Sequence, residues 1–311
     1  MQYVIDEQHD GVLLRTYLQG HLGLSRRLLT RLKAHPNGIL IGNQPVTVRA
    51  ILRTGDVLTL ATEDDDYTKR GNVIPSSVLP DVIYEDDDIL VCNKPPLMPT
   101  HPSHGHFDDT LANAVARYEL EHTGRVGVFR PVNRLDRNTG GIVLIAKHQL
   151  AADRLSKAMQ GGRIQKQYLA VLEGIPPAKK GEIHACIRRA QESIITREIC
   201  PPDAPGAKEA HTRYQVITHW SLPGGFVRSL VCARPVTGRT HQLRLHFAHL
   251  GTPIVGDDMY GQQLPFPTPN HHILHAYALT FPHPATGQIM TLIAPPGQAL
   301  RNLLPDILTK P

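Results

Sequence analysis

In the stretch RPVNRLDRNTGGIVLIAK, residues 130–147, one carboxylate, Asp136, stands between two guanidinium groups, Arg134 and Arg137. Neighbouring cations favour the ionised form of a carboxylate and lower its pKa. A structural salt bridge uses that effect, and so does a carboxylate that acts as a base or a nucleophile. If VNRLD is extended, Arg134 and Asp136 project to one side and Leu135 to the other. RNTGG then turns sharply, and IVLIA reads as a buried strand. The spacing puts the carboxylate at a strand end beside a Gly-rich turn. Taken alone, a structural ion pair is the simpler reading.

A second stretch, RPVTGRTHQLRLHFAHLGTPIVGDDMYG (234–261), gathers cations at a helix start. Thr240 can cap a helix that Gly251 and Pro253 end. Leu243, Phe247 and Leu250 fall on one side of it. Arg239, His241 and Arg244 cluster near its beginning, where backbone N–H groups and the helix dipole attract anions. A carboxylate or a phosphate would suit Arg244, while cations that only meet solvent are the bland alternative. HPSHGH (101–106) has metal-ligand residue types. It lies among Pro, Ser and Gly without a cysteine partner, so a solvated loop is expected and no metal site. HHILH (271–275) reads as surface plus core.

Elements must hold these residues in place. The chain has 311 residues, which sets a prior of roughly two domains. Apolar residues make up 41%, which fits a globular protein and argues against general disorder. No apolar run approaches the length of a membrane span, and MQYVIDEQHDG lacks the pattern of a signal peptide. Cys92, Cys186, Cys200 and Cys232 are scattered, which is neither a disulfide framework nor a zinc knuckle. A reducing cytoplasm is the simplest home. The formal charge is +5, although acidic runs occur at 63–66 and 85–88. The cations are therefore concentrated elsewhere, as a phosphate-backbone partner would require.

Residues 1–62 read as a small unit. Ser25 caps a predicted helix RRLLTRLKAH, in which Leu28, Leu29 and Leu32 share a side and Arg26, Arg27, Arg31 and Lys33 lie nearby. Short strands GILIG, QPVTV and GDVLTLA follow. Residues 63–80 are polar and carry Pro and Gly, which predicts a linker. From 81 to 311 a second unit begins with a predicted hairpin, VIYEDDDILVCNKP, and a helix after Asp109-Thr110. KQYLAVLEG, GEIHACIRR and RYQVITHW are strand-like, whereas GQQLPFPTPNHH (261–272) must be a loop. Many strands with few helices predict an α+β domain with a mainly antiparallel sheet.

At this point a resemblance is specific. The chain is similar to pseudouridine synthases of the RluA family. NRLDRNTGG resembles that family's Arg-Leu-Asp followed by a Thr-Ser-Gly turn, and GRTHQLR (238–244) resembles its Gly-Arg-Thr-His-Gln-Ile-Arg. VIYEDDDILVCNKP, RIQKQYLAVLEG (163–174) and ILHAYALTFPHPATG (273–287) match in order. The first unit resembles the S4 RNA-binding module through Ser25, Arg26, Gly38, Val46 and GDVLTL (55–60), with IGNQP where that module shows Val-Asn-Gly.

The resemblance implies a pseudouridine synthase fold behind an S4-like domain, and isomerisation of uridine to pseudouridine in structured ribosomal or transfer RNA. It implies Asp136 as the catalytic aspartate, Arg244 as its partner, and Tyr168 as the residue packed on the uracil. Arg134 would fill the gap left by a flipped base, Leu274 would wall the pocket, and Lys166 would contact phosphate or pocket. Arg239 and His241 join them as candidate RNA contacts, with Arg26, Arg27 and Arg31 of the first unit. Asn133 stands where His is common, and Gly141 where Ser is common. No cofactor is implied, since the reaction is internal to the nucleotide. RNA is the expected partner, no membrane is expected, and a monomer is the default assembly. Other classes are a non-catalytic RNA-binding or ribosome-assembly factor, and a hydrolase that removes uracil.

Overall fold

The structure, a computed structural model, describes residues 1–61, 73–191, 193, 195–261 and 269–305. Of the expected linker and the expected Pro-containing loop, residues 63–72 and 262–268 lie outside the described residues.

The first unit consists of β1 (Gln2–Val4), α1 (Leu14–Thr16), α2 (Arg26–Ala34), β2 (Ile39–Ile41), β3 (Gln44–Pro45) and β4 (Val57–Leu60). Ser25 caps α2 as expected, its hydroxyl accepting the Leu28 N–H at 3.1 Å. The chain then doubles back so tightly that a Cβ at Gly38 would stand 1.9 Å from the Leu32 carbonyl oxygen. The four strands form an antiparallel sheet in the order β1-β4-β2-β3. Leu28, Leu29 and Leu32 pack with Leu14, Leu18, Leu52 and Leu58. Arg26 and Arg27 are exposed, and Arg31 is half-buried.

The second unit opens with the expected hairpin, β5 (Val82–Glu85) and β6 (Ile89–Lys94). Helix α3 (Leu111–Thr123) starts at a reciprocal cap between Thr110 and Asn113. There follow β7 (Gly140–Ala146), α4 (Gln149–Gln160), β8 (Gln165–Glu173), β9 (Lys180–Arg189) and β10 (Arg197–Cys200). Then come β11 (Lys208–Ser221), β12 (Val227–Pro235), α5 (Gln242–His249), β13 (Leu274–Pro282), β14 (Ile289–Ile293) and α6 (Gln298–Arg301). The sheet runs β10-β9-β11-β12-β8-β13-β7-β6-β5, with β14 also on β13. Among the described strands only β13 and β7 pair in parallel, so the mainly antiparallel α+β reading holds. No helix among the described residues is long and apolar enough to cross a membrane.

Alternation along β6 and β7 feeds two cores. Ile89, Val91, Ile142 and Leu144 pack with Ala151, Leu155 and Ala158 of α4. Leu90, Cys92, Val143 and Ile145 pack on the other face with Leu111 and Val115 of α3, and with Leu135. Helix α5 lays Leu243 and Phe247 on the strands of the other half, against Leu172, Tyr214 and Val231. Its cap differs from the expectation. His241, not Thr240, is the N-cap, with φ 57 in the left-handed region. The preceding loop is instead held by Gln242, which bonds back to Thr237 and Arg239.

The two units are docked. Leu150 at the start of α4 belongs to the first unit's core. Asp153 accepts the Ser25 N–H at 3.1 Å and the Lys157 ammonium at 2.9 Å, and Lys157 also reaches the Gly23 carbonyl. Arg154 donates to Tyr3 Oη at 2.6 Å and to the Pro284 carbonyl at 2.8 Å.

Phe247 is fully buried and anchors the helix that carries Arg244. Phe247→Ala is expected to cost about 3–5 kcal/mol, read as a shift of the urea unfolding midpoint.

Candidate active site

The sheet forks where β7 leaves β13. Only His275 with Gly140 and Ala276 with Gly141 join the two strands. Beyond that point β13 pairs with β14, and β7 takes the segment ahead of Asp136 as a neighbour. Ala146 N–H donates to the Arg130 carbonyl at 2.9 Å, and Val132 N–H to the Leu144 carbonyl at 2.7 Å. Asn133 continues the ladder with its side chain, donating to Ile142 O and accepting from Leu144 N, both at 2.9 Å. The amide there is a structural strut.

The backbone around the carboxylate is fastened at several points. Thr100 Oγ1 donates to the Leu135 carbonyl at 2.9 Å. Thr139 N–H closes the turn onto the Asp136 carbonyl at 3.0 Å. Thr139 Oγ1 lies 2.7 Å from His272 Nε2. Leu135 is buried, Arg134 and Arg137 are exposed, and the Asp136 side chain keeps 34% of its surface. The predicted alternation is therefore correct. A Cβ at Gly141, where φ is +111, would lie 2.2 Å from the Ala276 carbonyl oxygen. Serine is excluded there. Aligned Thr to Thr, the motif's Ser falls on Gly140, where the nearest atom would be 3.2 Å away.

Beneath the turn lies Lys94, fully buried. Its ammonium donates to the carbonyls of Pro95 at 2.9 Å, Met98 at 2.6 Å and Arg137 at 3.2 Å. Burial pulls its pKa down to about 7, against the attraction of Asp136. The sequence reading missed Lys94, although a lysine inside the apolar run ILVCNKP was a visible signal.

Arg244 departs from the expectation. It forms a bidentate pair with Asp257, with both bonds at 2.7 Å, plus a 3.2 Å bond to Asp258. Its guanidinium lies 5.1 Å from the Tyr260 ring centre. Arg244 is 3% exposed, and a guanidinium that deeply buried needs a partner equally out of water. Asp257 meets that need and partly exposed Asp136 does not. Burial acts to lower the Arg244 pKa, but the bonds and charge of Asp257, with the charges of Asp136 and Asp258, raise it.

The nearest basic side chain to Asp136 among the described residues is His241, whose Nε2 is 3.9 Å from Oδ2. Its Nδ1 is 2.9 Å from Tyr260 Oη. Burial lowers the His241 pKa and Asp136 opposes this. Neither Arg134 nor Arg137 bonds to Asp136. Arg137 donates to the Leu97 carbonyl, and Arg134 has no partner among the described residues. The expected anion site at the start of α5 does not assemble, because Asp257 engages Arg244 and exposed Arg239 donates to the Glu209 carbonyl at 2.9 Å.

Tyr168 sits half-buried on β8, opposite Ala233 on one side and Ala276 on the other. These small neighbours leave its ring in contact with both cores. Burial, then the charge of Asp136, pushes the phenol pKa up, so it stays protonated. Lys166 and Leu274 share its face by strand alternation. Leu274 is 7% exposed, and burial lowers the Lys166 pKa. His271, His272 and His275 are all buried, so the core part of the expectation for HHILH holds and the surface part does not. In the HPSHGH loop, His106 bonds Asp109 at 2.6 Å.

Comparisons with known proteins point to one family. The family model described as RNA pseudouridylate synthase matches residues 88–249. An uncharacterized RNA pseudouridine synthase of Bacillus subtilis is 33% identical over 288 residues, covering 92% of this chain and 96% of the relative. Ribosomal large subunit pseudouridine synthase D of Xylella fastidiosa is 31% identical over 281 residues, covering 86% and 80%. The solved human RNA Pseudouridylate Synthase Domain Containing 1 has a TM-score of 0.57 at 28% identity, covering 73% of this chain and 86% of that one.

Asp257→Asn should strand the Arg244 guanidinium and cost about 3–5 kcal/mol. Arg244 lowers the Asp257 pKa below its ordinary 3.8 against the opposing effect of burial, which is the larger single influence. A depressed carboxylate contributes fully above its unfolded value and loses that contribution as pH falls through its folded value. The stability gap between wild type and variant should therefore be level above pH 3.8 and close below it, as denaturant titrations at stepped pH would show.

Proposed function

The chain belongs to the RNA pseudouridylate synthase family, an isomerase class, and from that premise we propose that Asp136 carries the reaction on a uridine flipped out of structured RNA. The observation that supports this most is the contrast at the fork. The backbone of the turn is tied down by Thr100, Lys94 and Thr139, yet the Asp136 carboxylate is partly exposed, and the nearest basic side chain among the described residues is His241 at 3.9 Å. Such a carboxylate is an aimed and unspent acceptor.

The chemistry is internal to one nucleotide. The bond from C1′ to N1 breaks, the uracil turns, and C5 bonds to C1′. C5 then loses its proton and N1 gains one, so atoms and charge balance without a cofactor. Asp136 acts at the ribose, as nucleophile or as base. Tyr168 offers a flat, protonated phenol for the uracil, and Leu274 closes the apolar wall beside it. Lys166 and His241 stand where charge on the departing base or the phosphate would lie. Extruding a stacked uridine costs a few kcal/mol, and the free Arg134 guanidinium, two residues from Asp136, is suited to fill the vacated stack.

The resemblance to a ribosomal large subunit pseudouridine synthase favours ribosomal RNA over transfer RNA. The first unit serves as an S4-like clamp, with exposed Arg26 and Arg27 on phosphates and half-buried Arg31 behind them. Incubation with large-subunit ribosomal RNA fragments, then nuclease digestion and nucleoside chromatography, tests the reading. Pseudouridine without free uracil is expected. Free uracil would make the protein a hydrolase, and unchanged uridine in every fragment would leave only binding.

Arg134→Ala should slow single turnover on a paired target uridine more than on the same uridine in a bulge, because an unpaired base costs less to extrude. A difference of about tenfold corresponds to roughly 1.4 kcal/mol. Equal losses on both RNAs would assign Arg134 to phosphate instead.

A further inference from the structure

We propose that Glu182, His184 and His211 form a binding site for one divalent transition-metal ion of the zinc type, on the outer strands of the sheet and separate from the Asp136 site. Three strand positions create it. His184 on β9 is the direct register partner of His211 on β11, and Glu182, two residues before His184, lies on the same face. The donors are two and 27 residues apart in sequence, so no motif announces them.

The donor atoms already converge. His184 Nε2 and His211 Nε2 lie 3.2 and 2.9 Å from the same oxygen, Glu182 Oε2. All three ligand atoms fall within 4.8 Å of one another. Zinc bound tetrahedrally to imidazole nitrogen and carboxylate oxygen has bonds of about 2.0–2.2 Å, which sets ligand-to-ligand edges of about 3.3–3.5 Å. The two separations from Glu182 are close to those edges; the imidazoles, stacked with ring centres 3.9 Å apart, must splay to aim both nitrogens at one ion, which their places at the surface permit. Glu182 divides its oxygens. Oε2 faces the histidines, while Oε1 accepts from Arg213 Nε at 2.9 Å. An outer partner on the non-ligating oxygen orients a metal-binding carboxylate. Hydrogen bonds from His184 and His211, with Arg213, also hold the carboxyl below its usual range.

Glu182 and His184 are exposed and His211 is half-buried, so the remaining coordination positions face solvent. Two imidazoles with one carboxylate suit zinc, nickel or copper rather than magnesium or calcium. The other group with ligand chemistry among the described residues, Asp86, Asp88 and His283, is different. Asp86 already accepts from the backbone of Asp88 and Ile89 and from Tyr84, and pairs with His283, while Asp88 pairs with His148. The placement of the proposed site also has a consequence. His211 donates its N–H to Thr237 Oγ1, and its carbonyl accepts from Val236 N–H and Gln242 Nε2. A bound ion would brace the strand from which the loop bearing His241 hangs.

The test is a calorimetric titration of zinc chloride into the tag-free full-length protein, with His184→Ala and His211→Ala in parallel. One saturable site per chain is expected. Each variant should weaken it at least about tenfold, the loss seen when a group supporting a metal is removed. Thermal melts without metal should match wild type, because neither side chain is in the core. Cobalt in place of zinc should give the visible absorption of a four-coordinate site, lost in both variants. The absence of saturable binding, or binding unchanged in both variants, would overturn the proposal.

Discussion

The close approach of two strands at Gly141 and Ala276 is the constraint on which the site depends. No side chain fits at Gly141, so β7 and β13 touch there and then part. That parting admits residues 130–133 beside β7 and lifts the following turn over the face that carries Tyr168. Asp136 is thereby fixed by backbone geometry, without a salt bridge of its own. Lys94 beneath the turn and the contact from Thr139 to His272 above it oppose any drift. Lining up a reacting group in advance removes entropy from the barrier that would otherwise have to be overcome in each encounter.

Charge is partitioned around this geometry. The strongest pair near the site, Arg244 with Asp257, is buried and bidentate, and it uses both partners fully. A pair of this kind is weak grounds for net stability, because desolvation offsets much of the attraction, yet it is costly to break from one side. With Asp257 and Asp258 on its guanidinium, Arg244 is not available to Asp136 as a direct partner. The carboxylate remains accessible, which a direct bidentate partner would prevent.

Much of this was legible in local pattern. The Ser25 cap, the hairpin across the acidic turn, the start of α3 and the alternation of Arg134, Leu135 and Asp136 follow from rules that act over a few residues. The partner of Arg244 was not legible, since Asp257 lies 13 residues on and reaches it only when the chain turns beneath α5. The burial of His271, His272 and His275 depends on where β13 inserts in the sheet. The Thr240 cap was not legible because it is displaced by Gln242, which bonds Thr237 and Arg239, with His241 in a left-handed conformation as the N-cap. Lys94 stood out as a lysine in an apolar run, but only the fold shows the three carbonyls around it.

The most direct measurement is the single-turnover rate of Asp136→Asn on a target RNA, set beside its affinity for that RNA and its unfolding midpoint. The amide matches the carboxylate in size and keeps the turn's backbone bonds. A carboxylate that reacts at the ribose predicts loss of measurable pseudouridine formation with affinity and stability close to wild type. Turnover comparable to wild type would contradict the account, because the fork, the turn and the buried lysine would then be presenting a group that takes no part in the chemistry.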